Sequence, residues 1–209
     1  GPSAVATLPR SFYARDGRDV ATQLLGKVLV HGELAGRIVE VEAYAGGEDP
    51  ASHAYRGQTE RNRVMFGRAG VLYVYFTYGM HFCANAVCGD EGEATAVLLR
   101  ALAPLRGLET MRARRPAARR DVDLCNGPAK LCAALGIDRP FNGADLVTGD
   151  HGITIGDDGF VPPTRPGRST RVGIRVGIEH RWRWYLRADP HVSRARGAGE
   201  RRADIGRPA

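Results

Sequence analysis

Glu40 and Glu42 stand two residues apart among valines in the stretch RIVEVEAY. A carboxylate can deprotonate a water and stabilise a cationic sugar, the two tasks that hydrolysis of a glycosidic bond requires. Side chains alternate faces along a strand. Val39, Val41 and Ala43 therefore share one face, and Ile38, Glu40, Glu42 and Tyr44 share the other. The first face suits a core. The second is carboxylate-rich and ends in an aromatic, which leaves two readings open: a solvated edge strand or a site.

Residues that could hold a planar ring lie nearby. Tyr44 shares the face of Glu42, His53 follows nine residues later, and Tyr73 and Tyr75 share one face of a further strand. An extruded nucleobase is held by stacking and by hydrogen bonds to its edge, although tyrosines and histidines also serve ordinary packing. The segment GVLYVYFTYGMHFCANAVC is β-rich on both sides of Tyr78, Gly79 and Met80, which predicts a hairpin turning there. Its tip either folds back on the core or enters a base stack as a wedge. A strand-cleaving glycosylase needs an amine nucleophile. Here only Lys27, beside a predicted helix end, and Lys130, inside a predicted helix, are available. Water is the better-supported nucleophile.

The composition narrows the partners. The chain has 209 residues, 43% hydrophobic and 25% charged, with a net charge of +7, as expected of one globular domain with an acidic partner. Its basic residues are almost all arginine, whose fork suits phosphate oxygens, though a GC-rich genome would produce the same bias. No apolar stretch is long enough to span a bilayer. The charge alone suits either nucleic acid or an anionic membrane surface, and no membrane partner is expected. The opening GPS reads as an expression scar rather than a leader. Cys83, Cys88, Cys125 and Cys132 form no C-x-x-C pair, which argues against a metal site and for buried free thiols.

These residues need elements to position them. RDVATQLLGK predicts a helix capped by Asp19 and ended by Gly26, and KVLVHGELAGRIVEVEAY predicts two strands joined in a hairpin. Residues 45–70 lack periodicity. ATAVLLRAL predicts a strand, PLRGLETMRARR a helix, and NGPAKLCAALGI a helix with Pro128 near its start and Gly136 past its end. GITIG, TRVGIRVGI and RWRWYLR predict a β-containing C-terminal half. The elements mix without a βαβ rhythm, so the fold class expected is α+β in one mixed domain. Its expected limits are 10–193, with a short N-terminal extension over 1–9 and a disordered arginine-rich tail over 194–209.

Taken in order, RIVEVEAY, ASHAYRGQTERNRVMF, GVLYVYFTYGMHFCAN, AVLLRALAPLRGLETMR and LCNGPAKLCAALGI resemble the alkyladenine (3-methyladenine) DNA glycosylases over roughly residues 10–193. The resemblance implies a monofunctional hydrolase that flips alkylated or deaminated purines from double-stranded DNA. Glu42 would activate water, with Arg100 and the Val172 carbonyl helping to hold it and Glu40 in support. Tyr44, His53 and Tyr75 would sandwich the flipped base, Asn85 would exclude normal guanine, and Tyr78, with Met80 at the same tip, would intercalate. The implied fold is a curved antiparallel sheet with a projecting hairpin, and the implied state is a monomer without cofactor or metal. A bacterial origin and a cytoplasmic, nucleoid-associated location fit the arginine bias and the lack of a nuclear signal. The chain departs from the mammalian pattern by about two extra residues between Asn85 and Arg100, by His81 after YGM, and by the doubled RVGIRVGI, where Val176 competes with Val172. Two rival readings are a non-catalytic binder of distorted DNA and a glycoside hydrolase acting on free sugars.

Overall fold

The computed structural model describes residues 4–77, 80–195 and 197. The GPS start, Tyr78 at the hairpin turn and most of the arginine-rich tail lie outside them. A curled antiparallel sheet dominates. Strands β1 (Ala6–Thr7), β2 (Val28–His31), β3 (Leu34–Ala45), β4 (Leu72–Thr77), β5 (His81–Cys88), β6 (Thr95–Arg106) and β7 (Ile153–Asp157) run in the spatial order β1-β7-β2-β3-β6-β5-β4. The fold is α+β.

Strand β3 explains why two glutamates can sit inside a sheet. Along one edge β6 accompanies it from Ala35 to Ala45. On the other edge β2 pairs with Leu34–Arg37, after which β9 (Arg183–Tyr185) pairs with Glu40, Val41 and Glu42. Strand β8 (Gly167–Ser169) closes that corner against β9. The carboxylate-bearing segment is therefore hydrogen-bonded on both sides and fully buried, so the solvated-edge reading is excluded. Register shifts between Ile38 and Val41 break the strict alternation. They let Ile38 join Val39 and Val41 in the apolar core, where a period of two would have set it beside the glutamates.

Among the described residues there are four α-helices, α1 (Arg10–Tyr13), α2 (Gly17–Leu24), α3 (Leu108–Arg114) and α4 (Pro128–Leu135), with α3 packed on α4. Helix α2 buries Val20, Ala21 and Leu24 against β3 and is capped by Asp16, which accepts from the Arg18 amide. That places the cap three residues before the expected Asp19. Helix α4 packs on β5 and β6, starts at Pro128 and ends at Gly136, whose φ of 69° supplies the left-handed cap. The segment PLR expected in α3 instead completes β6, and Gly107 separates the two. TRVGIRVGI forms bends and one isolated bridge, Val172 to Gly197, rather than a strand. Its two glycines have positive φ, which interrupts any ladder. No described helix is long and apolar enough to cross a membrane.

Candidate active site

Glu40 and Glu42 point into the same buried layer but have different surroundings. Glu40 is saturated. One oxygen accepts from the Ser193 amide at 2.7 Å. The other accepts from Arg100 Nε at 2.9 Å, Arg183 Nε at 2.8 Å and the Ser193 hydroxyl at 2.9 Å. Burial pushes the Glu40 carboxyl up, but Arg183, Arg100 and the Ser193 amide outweigh it and hold the group below its ordinary value. A carboxylate with this many donors is a charge-balancing strut, with no oxygen left for a reacting water.

Glu42 is held by three groups that reach the adjoining cavity. Tyr44 donates its hydroxyl to Oε1 at 3.0 Å, the Val172 amide donates to Oε2 at 2.6 Å, and Arg100 Nη1 lies 3.5 Å from Oε1. Burial opposes the charge of Arg100, but Glu42 and Glu40 outweigh it and keep the guanidinium firmly protonated. Tyr44, Arg100 and Val172 all line a cavity of about 350 Å³, and the fully buried Glu42, itself not part of the wall, contacts all three. That volume suits a planar group of base size.

The rest of the cavity wall brings together residues distant in sequence. His53, Tyr73, Tyr75, Cys83 and Asn85 all contribute. The His53 and Tyr75 rings meet edge to face at 4.2 Å, and Tyr73 lies 5.6 Å from Tyr75. Burial of its ring face and the Arg61 charge both push His53 below its usual value, so it is neutral at pH 7. Burial raises the Tyr73 phenol to about 12 and also raises Tyr75 and Tyr44 well above the ordinary value, which leaves all three as uncharged rings. Asn85 is buried, with its Nδ2 donating to the Tyr73 carbonyl at 3.2 Å. A second cleft of about 730 Å³ shares His53, Tyr73 and Tyr75 and continues past Arg56, Arg61 and Phe76 to Met80. Met80 is 80% exposed with a φ of 67°. Val176 stands at the rim of the first cavity, 52% exposed, whereas it is Val172 that touches Glu42.

Sequence reasoning missed one central group. Arg171 is fully buried and pairs with Asp49 at 2.5 and 2.9 Å across a separation of 122 residues. Neither residue lies in a recognisable pattern, and only the closed fold brings them together. Cys83 is a further wall residue with no sequence signal. All four cysteines are buried and free, and no group of three or more potential metal ligands forms among the described residues.

The family profile described as methylpurine-DNA glycosylase matches residues 11–190. A protein of Burkholderia lata named "Putative 3-methyladenine DNA glycosylase" is 56% identical over 189 residues, covering 90% of this chain and 91% of the relative. Proteins of the same name from Streptomyces avermitilis and Methanoculleus marisnigri are 48% and 49% identical, covering 93% and 90% of this chain and 94% and 99% of theirs. The chain belongs to the methylpurine-DNA glycosylase family.

Proposed function

We propose that this DNA glycosylase hydrolyses the N-glycosidic bond of damaged purines, among them 3-methyladenine, 7-methylguanine, hypoxanthine and ethenoadenine, with Glu42 as general base. The observation that carries the reading is a buried carboxylate set behind a base-sized aromatic cavity by Tyr44, Arg100 and the Val172 amide. The base leaves the duplex and enters between Tyr44 and the wall built by His53 and Tyr75. Asn85 meets its edge and disfavours the exocyclic amine of guanine. Tyr78 fills the vacated place in the stack, with Met80 beside it.

For chemistry, a water takes the place of the Tyr44 hydroxyl at Glu42 Oε1 and stays within reach of Arg100 and the Val172 carbonyl. Glu42 removes its proton as it attacks the sugar, and the developing oxocarbenium charge is stabilised by the same carboxylate. A base that is already cationic leaves readily. A neutral one depends more on hydrogen bonds at its edge. Neither Lys27 nor Lys130 lines the cavity, which supports water as nucleophile and argues against lyase activity. The protein acts on double-stranded DNA as a monomer, without cofactor or metal, in the cytoplasm of a bacterial cell.

The deciding experiment is single-turnover excision from duplexes carrying 7-methylguanine, hypoxanthine or ethenoadenine, developed with alkali. Wild type should produce alkali-dependent breaks. Glu42→Gln should lose about 10²- to 10⁴-fold in rate while still binding the duplex. Wild-type rates in the variant would exclude Glu42 as the base. Tight, salt-sensitive binding with no excision by wild type would leave a non-catalytic recognition protein.

A further inference from the structure

Arg171 occupies an unusual position relative to the cavity. Its guanidinium lies 4.7 Å from the centre of the Tyr44 ring and 4.9 Å from that of Trp182. Trp182 in turn stacks on His180 at 4.0 Å and 4°. Besides Asp49, the fork donates to the Ala43 carbonyl at 3.1 Å and the Gly177 carbonyl at 3.2 Å, and Nε has no partner among the described residues. Arg171 does not line the cavity, whereas Tyr44 does. The charge therefore lies against the face of the ring turned away from the cavity.

We propose that Arg171, held by Asp49, is a positioning residue that sets base specificity: it fixes the Tyr44 ring and the Val172 amide, and its charge behind that ring weakens the pocket's attraction for positively charged bases. This rests on the glycosylase reading of the same cavity. Three segments converge on the fork: the end of β3 at Ala43, the loop holding Asp49, and the turn at Gly177. Those segments carry Tyr44, Ala51 and the stretch Val172–Val176, all of them cavity wall. Burying an ion pair is a poor route to stability, since apolar packing of equal volume does as well or better. A site function accounts for keeping the charge there.

The electrostatic part follows from the ring quadrupole. An aromatic face attracts a cation. A guanidinium already bound to one face draws on the same π density and repels a second cation across the ring. Asp49 offsets part of that repulsion. Neutralising the pair should therefore favour cationic bases, and removing only the carboxylate charge should disfavour them.

The test compares excision of 7-methylguanine, cationic in DNA, with that of neutral hypoxanthine in the same duplex. The ratio of the two rates is read for wild type, Asp49→Asn, and the double variant Arg171→Met/Asp49→Asn. A ratio cancels the fraction of folded enzyme, so a mere loss of stability leaves it unmoved. The double variant should raise the ratio about three- to tenfold and Asp49→Asn should lower it. Ratios within twofold of wild type in both variants would overturn the proposal. If the double variant does not fold, the direction of change in Asp49→Asn decides. Equilibrium binding of the two duplexes in a Glu42→Gln background gives the same ratio without chemistry. It tests Arg171 even if wild type cleaves neither lesion.

Discussion

Val172 donates its backbone amide to Glu42 Oε2 at 2.6 Å, joining the turn after β8 to the middle of β3 across 130 residues. A peptide N–H cannot be protonated or rotated away, so it fixes one carboxylate oxygen while leaving the other to Tyr44 and Arg100. The consequence is a carboxylate with a settled orientation and one exchangeable partner, the Tyr44 hydroxyl. Preorganised donors of this kind keep reorganisation out of the chemical step.

Ring and hydroxyl of Tyr44 should separate on mutation. Tyr44→Phe keeps the stacking surface and the contact with Arg171, and loses only the donor to Glu42. Because a water takes the place of that hydroxyl at Oε1 for the chemical step, the variant's excision rate should stay within about tenfold of wild type, less than the ~1.5–3 kcal/mol a hydrogen bond to a charged group is worth. Tyr44→Ala removes the stacking face and bares a buried guanidinium. Base stacking on an aromatic contributes ~1–3 kcal/mol, so lesion affinity should fall about 5- to 150-fold. Equal losses in the two variants would place the contribution in the hydroxyl alone.

Glu40 should matter for stability more than for the chemical step. Glu40→Gln leaves Arg183 buried without its countercharge and Arg100 with only the longer contact to Glu42, a change that costs about 3–5 kcal/mol. The folded carboxyl lies below its ordinary value of 4.5, so its charge stabilises the fold above that pH. The contribution is lost as pH falls through the still lower folded value. Urea unfolding of wild type and variant should therefore differ fully at pH 7 and converge below pH 4.5. A gap independent of pH would assign the effect to packing.

Much of the fold was legible because it rests on local signals. Pro128 and Gly136 bracket α4, and the strands of the β2–β3 and β4–β5 hairpins show in their β-branched and aromatic runs. Errors arose where the decisive partner was remote. Ile38 reached the core through a bulge that a period of two does not encode, and RVGIRVGI bends after a single bridge, Val172 to Gly197, because Gly173 and Gly177 take positive φ. In the site, VEVEAY marked a carboxylate pair, but nothing in that motif distinguishes the saturated Glu40 from Glu42. The distinction is made by Arg183 and Ser193, more than 140 residues downstream. Arg171 and Asp49 had no signal at all.

Two glycines of one turn give an internally controlled test of the Arg171 clamp. Both have positive φ, 69° at Gly173 and 62° at Gly177. A Cβ at Gly173 would meet open space, whereas one at Gly177 would lie 2.9 Å from Arg171 Nη2 and 3.3 Å from Asp49 Oδ1. Gly173→Ala should cost only the left-handed backbone term, about 1–2 kcal/mol. Gly177→Ala should cost more and also slow excision, because the fork must shift. Melting temperatures, which move about 2–4 °C per kcal/mol at this chain length, would read the difference. Equal shifts would mean that the fork yields without consequence.

Met80 and Arg56 border the same cleft and should act on DNA through different forces. Met80 is 80% exposed, so Met80→Ser should leave folding stability within about 0.5 kcal/mol of wild type. If its side chain enters the stack, the lost apolar burial of ~1.5 kcal/mol weakens lesion binding roughly tenfold. No phosphate contact is lost, so the slope of log affinity against log salt should not change. Arg56→Ala removes a cation, and where that cation meets a phosphate the slope should shrink by about 0.9. Titrations at several salt concentrations separate the two: an altered slope in Met80→Ser would count against a wedge, and an unaltered one in Arg56→Ala would exclude it as a phosphate contact.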